Sequence, residues 1–273
     1  MRANLYALGA IALWATLASL GVSLRHIPPF LLTGMALLIG SIPAWPLMRQ
    51  WRVPPMTLAL GLYGLFGYHF LLFIAFRNAP PVQANLVNYL WPLLIVVLAP
   101  VLLRGVQIKV VHIVAALVGF AGAAIAIVGG RQLDGGFVWG YLPAAGAALI
   151  WASYSLLTKR VAAFPTAAIG GFAVVSGVLS LLCHALLEPS VALSGKDWLL
   201  VTLMGLGPLG AAFFLWDAAL KRGDAHSIGL LSFLTPLLST LLLLLVRGDR
   251  PSPSIVLAAV MIVGAALVGT RAR

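Results

Sequence analysis

Ten apolar runs, each about 20 residues long, follow one another with only a few polar residues between them. They cover approximately 4–24, 28–48, 55–76, 82–103, 108–129, 137–158, 166–187, 198–220, 226–246 and 253–270. A helix rising about 1.5 Å per residue crosses the roughly 30 Å hydrocarbon core of a bilayer in that length. Lipid offers no partner to a backbone N–H or C=O, so a run of this kind must close its hydrogen bonds as a helix. Composition agrees: 62% of the 273 residues are hydrophobic and 8% are charged, against roughly 25% charged in a soluble domain. The expected fold is all-α, a polytopic membrane protein of ten transmembrane helices. The net charge of +11 raises nucleic acid as a partner. The basic residues stand singly or in pairs between apolar runs and form no stripe, so the bilayer is the expected partner and nucleic acid is not.

The breaks carry the chemistry that ends helices. They hold Pro28-Pro29, Arg49 to Pro55, Arg77 to Pro81, Arg104 to Lys109, Lys159 to Pro165, Glu188 to Asp197 and Lys221 to Asp224, among others. The segment MRANLYALGAIALWATLASLG reads as the first span rather than a leader, because its apolar stretch is too long for one. With the N-terminus cytoplasmic, eleven Lys and Arg fall on inside segments and six on outside loops. That bias places both termini in the cytoplasm. The single cysteine, Cys183, sits in an apolar run and reads as a packing residue.

The chain repeats itself. AFRNAPPVQANLVNYLWPLL (75–94) lies over ALKRGDAHSIGLLSFLTPLL (219–238) at an offset of 144, and GAIALWAT (9–16) over GAALIWAS (146–153) at 137. Leu102-Leu103-Arg104-Gly105 matches Leu245-Val246-Arg247-Gly248. The expected organisation is two five-helix copies, 1–132 and 133–273. Five crossings is an odd number, so the second copy enters from the opposite side. The result is an inverted repeat with a site near the midplane, around a central cavity between the copies.

Both copies put a proline inside the fourth apolar run, Pro92 and Pro236. Proline removes a helical hydrogen bond and bends the chain, so these two are expected to act as gating hinges. Pro81, Asn85, Asn88 and Pro92 share one helix face, as do Ser232, Thr235, Pro236 and Ser239. An unpaired amide in hydrocarbon costs several kcal/mol in order of magnitude, so these faces should line the cavity. Helix-to-helix hydrogen bonding is the plainer alternative. Trp14 and Trp151 are repeat mates too deep to be interfacial anchors, a role that suits Trp45, Trp51, Trp139 and Trp198. Tyr89 and Phe233 are mates, Trp91 flanks Pro92, and Tyr154 and Ser155 follow Trp151. Deep rings beside amides suit a substrate with a flat apolar side chain and a polar head; core packing is the rival. His69 lies deep in the third run, and a buried histidine can carry protons or simply be hydrogen-bonded. Asp217 pairs at i,i+4 with Lys221.

No metal-ligand spacing and no catalytic constellation occurs. GLGPLG (205–210) is a formal G-x-G-x-x-G without a preceding strand, so no dinucleotide is expected, nor any other cofactor. Gly119, Gly122, Ala123 and Ala126 mark close packing in the bundle or a dimer face.

Two five-helix copies, each with a proline in its fourth helix and an Arg-Gly turn after it, resemble the drug/metabolite transporter superfamily of EamA type. VNYLWPLL is most similar to its bacterial aromatic-amino-acid exporter branch. Many repeats of that family carry an acid where this chain has Arg104-Gly105 and Arg247-Gly248, which puts any role of that acid in doubt here. The resemblance implies efflux of amino acids across the bacterial inner membrane through a central cavity. The resulting expectation is a secondary transporter of amino acids, aromatic or otherwise apolar, or of related metabolites, working by alternating access, with a monomer favoured. Trp14, His69, Asn85, Asn88, Tyr89, Trp91, Trp151, Tyr154, Ser155, Ser232 and Phe233 are the expected substrate contacts. A structural membrane protein and, behind it, an intramembrane enzyme are the alternatives.

Overall fold

The computed structural model describes residues 2–128, 136–248 and 250–271. The expected boundary between the copies, at 132/133, lies outside the described residues. Among the described residues there are ten apolar helices: α1 (Arg2–Ser23), α2 (Pro29–Trp51), α3 (Pro55–Asn78), α4 (Pro81–Leu102), α5 (Val110–Val128), α6 (Tyr141–Leu157), α7 (Ala168–Leu187), α8 (Gly195–Arg222), α9 (Ala225–Val246) and α10 (Pro253–Arg271). No strand occurs among the described residues. Nine of the ten are long enough to cross a bilayer unaided, and α6 is shorter. The outer surface is apolar, with Leu117 on α5 and Val260 on α10 among many exposed aliphatic side chains. That is what a lipid solvent requires.

Local sequence explains where the helices begin. Pro29, Pro55, Pro81 and Pro253 open four of them, at positions whose N–H would have no helical partner. Ser194 and Asp197 cap α8 reciprocally, and Asp224 caps α9 by accepting from the Ser227 amide at 2.7 Å. Gly248 ends α9 in the left-handed conformation, at φ 73°.

Six helices are interrupted among the described residues. α1 turns at Thr16. α2 tightens to a 3₁₀ helix over Ile42–Trp51, where Pro43 and Pro46 remove two donors. α3 and α8 each contain one π-turn, at Tyr63–Gly67 and Gly207–Ala211. α4 leaves helical geometry at Tyr89–Leu90 and restarts at Trp91, and α9 does so at Phe233. The expected bends are thus short interruptions of one or two turn residues upstream of the prolines, because Pro92 and Pro236 cannot bond the carbonyls of Asn88 and Ser232 four residues back. The face expected to run from Pro81 through Asn88 to Pro92 is interrupted by the same break.

Small residues set the crossings. A Cβ on Gly40 of α2 would stand 2.6 Å from the Gly205 carbonyl oxygen and 2.8 Å from the Gly210 Cα, so α2 and α8 touch backbone to backbone. GLGPLG is therefore a packing surface. Gly122 of α5 faces Ile262 of α10, and Gly119 faces the Phe233 ring, which places the small residues of α5 inside the bundle.

Three contacts fix which ends share a membrane face. The Arg222 guanidinium, at the end of α8, lies 5.4 Å over the Tyr6 ring near the start of α1. The His112 and His226 rings, at the starts of α5 and α9, stack at 4.6 Å. A Cβ on Gly269, near the end of α10, would lie 3.1 Å from the Ala115 side chain. The described chain therefore begins and ends on one face, called here the terminal face.

Each face has a buried carboxylate that ties helix ends together. On the far face the Glu188 side chain is 0% exposed. It accepts from the Phe30 and Leu31 amides at the start of α2, from Arg77 at 2.7 Å, and contacts His184 at 3.1 Å. On the terminal face Asp217 accepts from Lys221 and from the Thr166 hydroxyl, both at 2.6 Å. The expected Asp217–Lys221 pair is present and buried on the carboxylate side.

Candidate functional site

The centre of the bundle is a cluster of aromatic rings. Trp14 of α1 is flanked by Trp216 of α8 at 5.1 Å, Trp151 of α6 at 5.7 Å, Phe213 of α8 at 6.2 Å and Trp91 of α4 at 6.4 Å. Their mostly edge-to-face packing suits the ring quadrupoles. Indole N–H groups need partners when buried, and two find them across the bundle. Trp14 Nε1 donates to the Pro208 carbonyl at 3.0 Å, inside the π-turn of α8, and Trp216 Nε1 donates to Ser155 Oγ at 3.1 Å. Tyr154 packs on Trp151 at 5.4 Å and lies across Gly64, where a Cβ would meet its ring at 2.3 Å. At about 1.5 Å per residue Trp14 sits roughly 18 Å along α1 from the terminal face. Trp151 and Trp216 lie nearer that face, so the rings fill the axis and seal it on the terminal side.

Polar groups gather beyond this seal, at the break in α4. Asn88 is buried, and its Nδ2 donates to the Tyr68 hydroxyl at 3.2 Å. Its Oδ1 is buried with no hydrogen-bond partner among the described residues. The Asn88 main-chain carbonyl is the one that Pro92 cannot bond, so two acceptors of one residue meet there. Tyr68 and Tyr89 are surrounded by protein yet only half-buried, as residues bordering internal space are. Tyr68 also touches Trp151 at 5.3 Å, joining the polar site to the ring cluster. His69 is buried against Tyr68 and Phe213. Its Nδ1 lies 2.6 Å from the Leu65 carbonyl. A carbonyl only accepts, so Nδ1 carries the proton and Nε2 is left as an acceptor.

The structure brings together Trp14, His69, Asn88, Trp91, Trp151, Tyr154 and Ser155, with Tyr89 beside them. Asn85 is half-buried one turn nearer the far face. Ser232 and Phe233 are not part of this group. The Ser232 hydroxyl donates to the Ile228 carbonyl of its own helix at 2.7 Å. Phe233 packs with Val96, Leu230 and Leu237 in a separate apolar cluster. Its mate Tyr89 borders that internal space, so the two breaks differ in what they present. Trp51, expected as an interfacial anchor, instead lies over Gly170 and Gly171 of α7. Sequence reasoning missed Tyr68, Phe213 and Trp216. A signal existed for Phe213: it stands 144 residues after His69, the offset that aligns the copies.

The EamA-like transporter family matches residues 1–128 and 138–270, nearly the whole chain in two parts. The chain belongs to the EamA-like transporter family. Within it, the chain is 43% identical to the aromatic amino acid exporter YddG of Ancylobacter novellus, over 98% of this chain and 96% of that protein. It is 27% identical to YddG of Salmonella typhimurium, with 96% and 94% covered, and 26% identical to YddG of Escherichia coli, with 98% and 96% covered. A crystal structure of a 43% identical protein superposes with a TM-score of 0.93, covering 98% of this chain and 96% of the other. This EamA transporter thus shares its ten-helix fold with a protein whose structure has been solved.

Proposed function

We propose that this EamA transporter exports aromatic amino acids across the bacterial inner membrane by alternating access, with both termini in the cytoplasm. The carrying observation is the Asn88 Oδ1, a buried acceptor without a protein donor at a hollow lined by Tyr68 and Tyr89. An amino acid's ammonium group supplies the missing donor. Asn88 also ends the first segment of α4, where the helix dipole and the carbonyl that Pro92 cannot bond add negative potential. The segment restarting at Trp91 offers backbone N–H groups and a positive helix end for the carboxylate. The tyrosine rings and Trp151 suit a flat side chain. This arrangement recognises a zwitterion without a charged residue, which agrees with the activity named for the relatives.

The two-copy inverted architecture is part of the reading. Its support is geometric. Residues related by a two-fold axis touch only where they lie beside that axis. Trp14 and Trp151, mates at an offset of 137, are in contact at 5.7 Å, and His69 and Phe213, mates at 144, at 6.2 Å. The π-turns at 63–67 and 207–211 recur at 144 as well. An axis in the membrane plane through the ring cluster accounts for all of these. In this conformer the rings close the terminal face. Export requires them to part so that substrate arrives from the cytoplasm, and the breaks of α4 and α9 are the places where half-helices can move.

Purified protein in liposomes loaded with phenylalanine tests the reading. Saturable counterflow of labelled phenylalanine, competed by tyrosine and tryptophan and not by glutamate, is expected. Absence of saturable flux for every aromatic amino acid overturns it.

A further inference from the structure

We propose that the hollow between the ends of α4 and α6 on the terminal face is a binding site for the phosphate headgroup of an anionic phospholipid. The hollow is an open depression of about 600 Å³ lined by Leu103, Arg104, Val106, Lys159 and Arg160. Three cations meet there. None of them has a carboxylate within ion-pair distance among the described residues. Cations commonly balance the negative ends of helices, but one charge per end would suffice, and here three converge on one depression.

The walls have two characters. Leu103 is buried in the main core cluster and Val106 packs against it, so one side of the hollow is apolar. Arg104 and Arg160 are exposed and form a basic rim. Gly105 reverses the chain between Arg104 and Val106 at φ 75°, and a Cβ there would meet nothing within 4 Å, so the turn leaves the hollow open. A basic rim over an apolar wall, at the level where two spanning helices end, matches a phosphodiester continued by glycerol and acyl carbons. A free anion would use the rim alone. Basic pockets between spanning helices bind anionic headgroups in this manner.

The hollow is linked to the turn between α8 and α9. Lys159 Nζ donates to the Gly223 carbonyl at 2.6 Å, in the turn between α8 and α9. Burial holds the Lys159 ammonium below the ordinary lysine range, opposed by nearby Asp224. A phosphate in the hollow gives this ammonium a second acceptor while it keeps the first. Lipid bound here therefore braces α4 and α6 against the α8–α9 turn.

Under the orientation proposed above the site faces the cytoplasmic leaflet, but binding can be measured without reference to orientation or transport. The full-length protein in detergent is titrated with phosphatidylglycerol, phosphatidylcholine, inorganic phosphate or phenylalanine, read by thermal shift and by native mass spectrometry. A stabilising shift with retained phosphatidylglycerol adducts is expected, and no comparable shift with phosphatidylcholine or inorganic phosphate. Apparent affinity should fall about five-fold for each cation removed among Arg104→Gln, Lys159→Gln and Arg160→Gln. The double variant Arg25→Gln/Arg250→Gln, on the far face, should bind as the parent does. If the triple variant is unfolded, the Arg160→Gln single variant, at an exposed side chain, decides by its own five-fold loss. Equal response to phosphatidylcholine, an equal response to inorganic phosphate, or undiminished binding by Arg160→Gln overturns the proposal. A shift with phenylalanine that the triple variant abolishes assigns the hollow to substrate and overturns it too. Failure of transport leaves this result untouched, and failure of lipid binding leaves the transport reading standing.

Discussion

Replacing Asn88 by leucine should separate function from stability, because the two depend on different atoms of the amide. Leucine keeps the branched four-atom skeleton of the amide, so it is the apolar substitution that disturbs the packing around position 88 least. The substitution deletes the Nδ2 bond to Tyr68, worth about 0.6 kcal/mol on average for a polar contact between membrane helices. It also deletes Oδ1, a buried acceptor with no protein donor, whose desolvation costs about 1–3 kcal/mol. The sum leaves the apo protein as stable as the parent, or more stable by about 1 kcal/mol. Substrate loses a charge-assisted hydrogen bond of about 1.5–3 kcal/mol, a roughly 10- to 100-fold weaker affinity. Thermal unfolding in detergent gives the first quantity, and the substrate dependence of phenylalanine counterflow gives the second. A leucine variant with parental affinity removes Asn88 from the site. One that unfolds several degrees early shows the amide to be structural, and the orphaned oxygen then has no bearing on substrate.

Gly40→Ala should destabilise by about 1–3 kcal/mol or more, since its Cβ meets backbone atoms of Gly205 and Gly210 that cannot step aside; Gly264→Ala, with open space around it, should not lower the melting temperature. Glu188→Gln keeps an acceptor for the α2 amides but leaves Arg77 without its counter-charge; Arg77 is partly exposed, so the expected loss is about 1–2 kcal/mol, read by thermal unfolding. Phe233→Ala should lower stability by about 3–5 kcal/mol while leaving substrate affinity in the surviving folded fraction unchanged, as its ring packs away from the hollow. Asp224→Ala removes the cap of α9 and should cost about 1 kcal/mol at neutral pH. Burial works against the Asp224 charge, but the His226 ring 3.8 Å away and the hydrogen bond from Ser227 outweigh it and hold the carboxyl well below the usual range. A depressed carboxylate stabilises the fold above its unfolded value of about 3.9. The gap between parent and Asp224→Ala should therefore persist from pH 8 to about 5 and close only under stronger acid, as seen in melting temperatures across that series.

The spans were legible because hydropathy is a local property, and the ten apolar runs coincide with ten helices within a few residues at each end. The ring cluster was half legible. A tryptophan in mid-span announces burial, so Trp14 and Trp151 could be selected, but nothing local says that Trp216 and Phe213 complete the same cluster. Glu188 illustrates the limit better. It stands in a loop by sequence, yet it anchors the start of α2, 158 positions away. Its burial arises from the packing of α7 against α2, and no window of sequence contains both. The glycines of 205–210 were visible as a motif and misleading as one, since their use depends on Gly40 in another helix. The prolines marked the right helices, and the interruptions fell two to three residues before the rings, just after the carbonyls of Asn88 and Ser232 that the prolines cannot bond.

The two breaks share a backbone and differ in side chains, which bears on how an exporter of this build divides its labour. Around the break in α4 stand Asn88, Tyr89 and Trp91, two of them facing the hollow or the ring cluster and one holding an unpaired acceptor. Around the break in α9 stand Ser232, whose hydroxyl is spent on its own helix, and Phe233, fully enclosed by aliphatic neighbours from α4, α5 and α10. Under the proposed reading, the break in the first copy carries the polar recognition, and the break in the second presents a dry surface. A site built by two equal copies would hold a two-fold symmetric ligand best. An amino acid has an ammonium, a carboxylate and one side chain, with no such symmetry. Divergence at the breaks lets a backbone that retains paired geometry grip an asymmetric molecule in a single orientation.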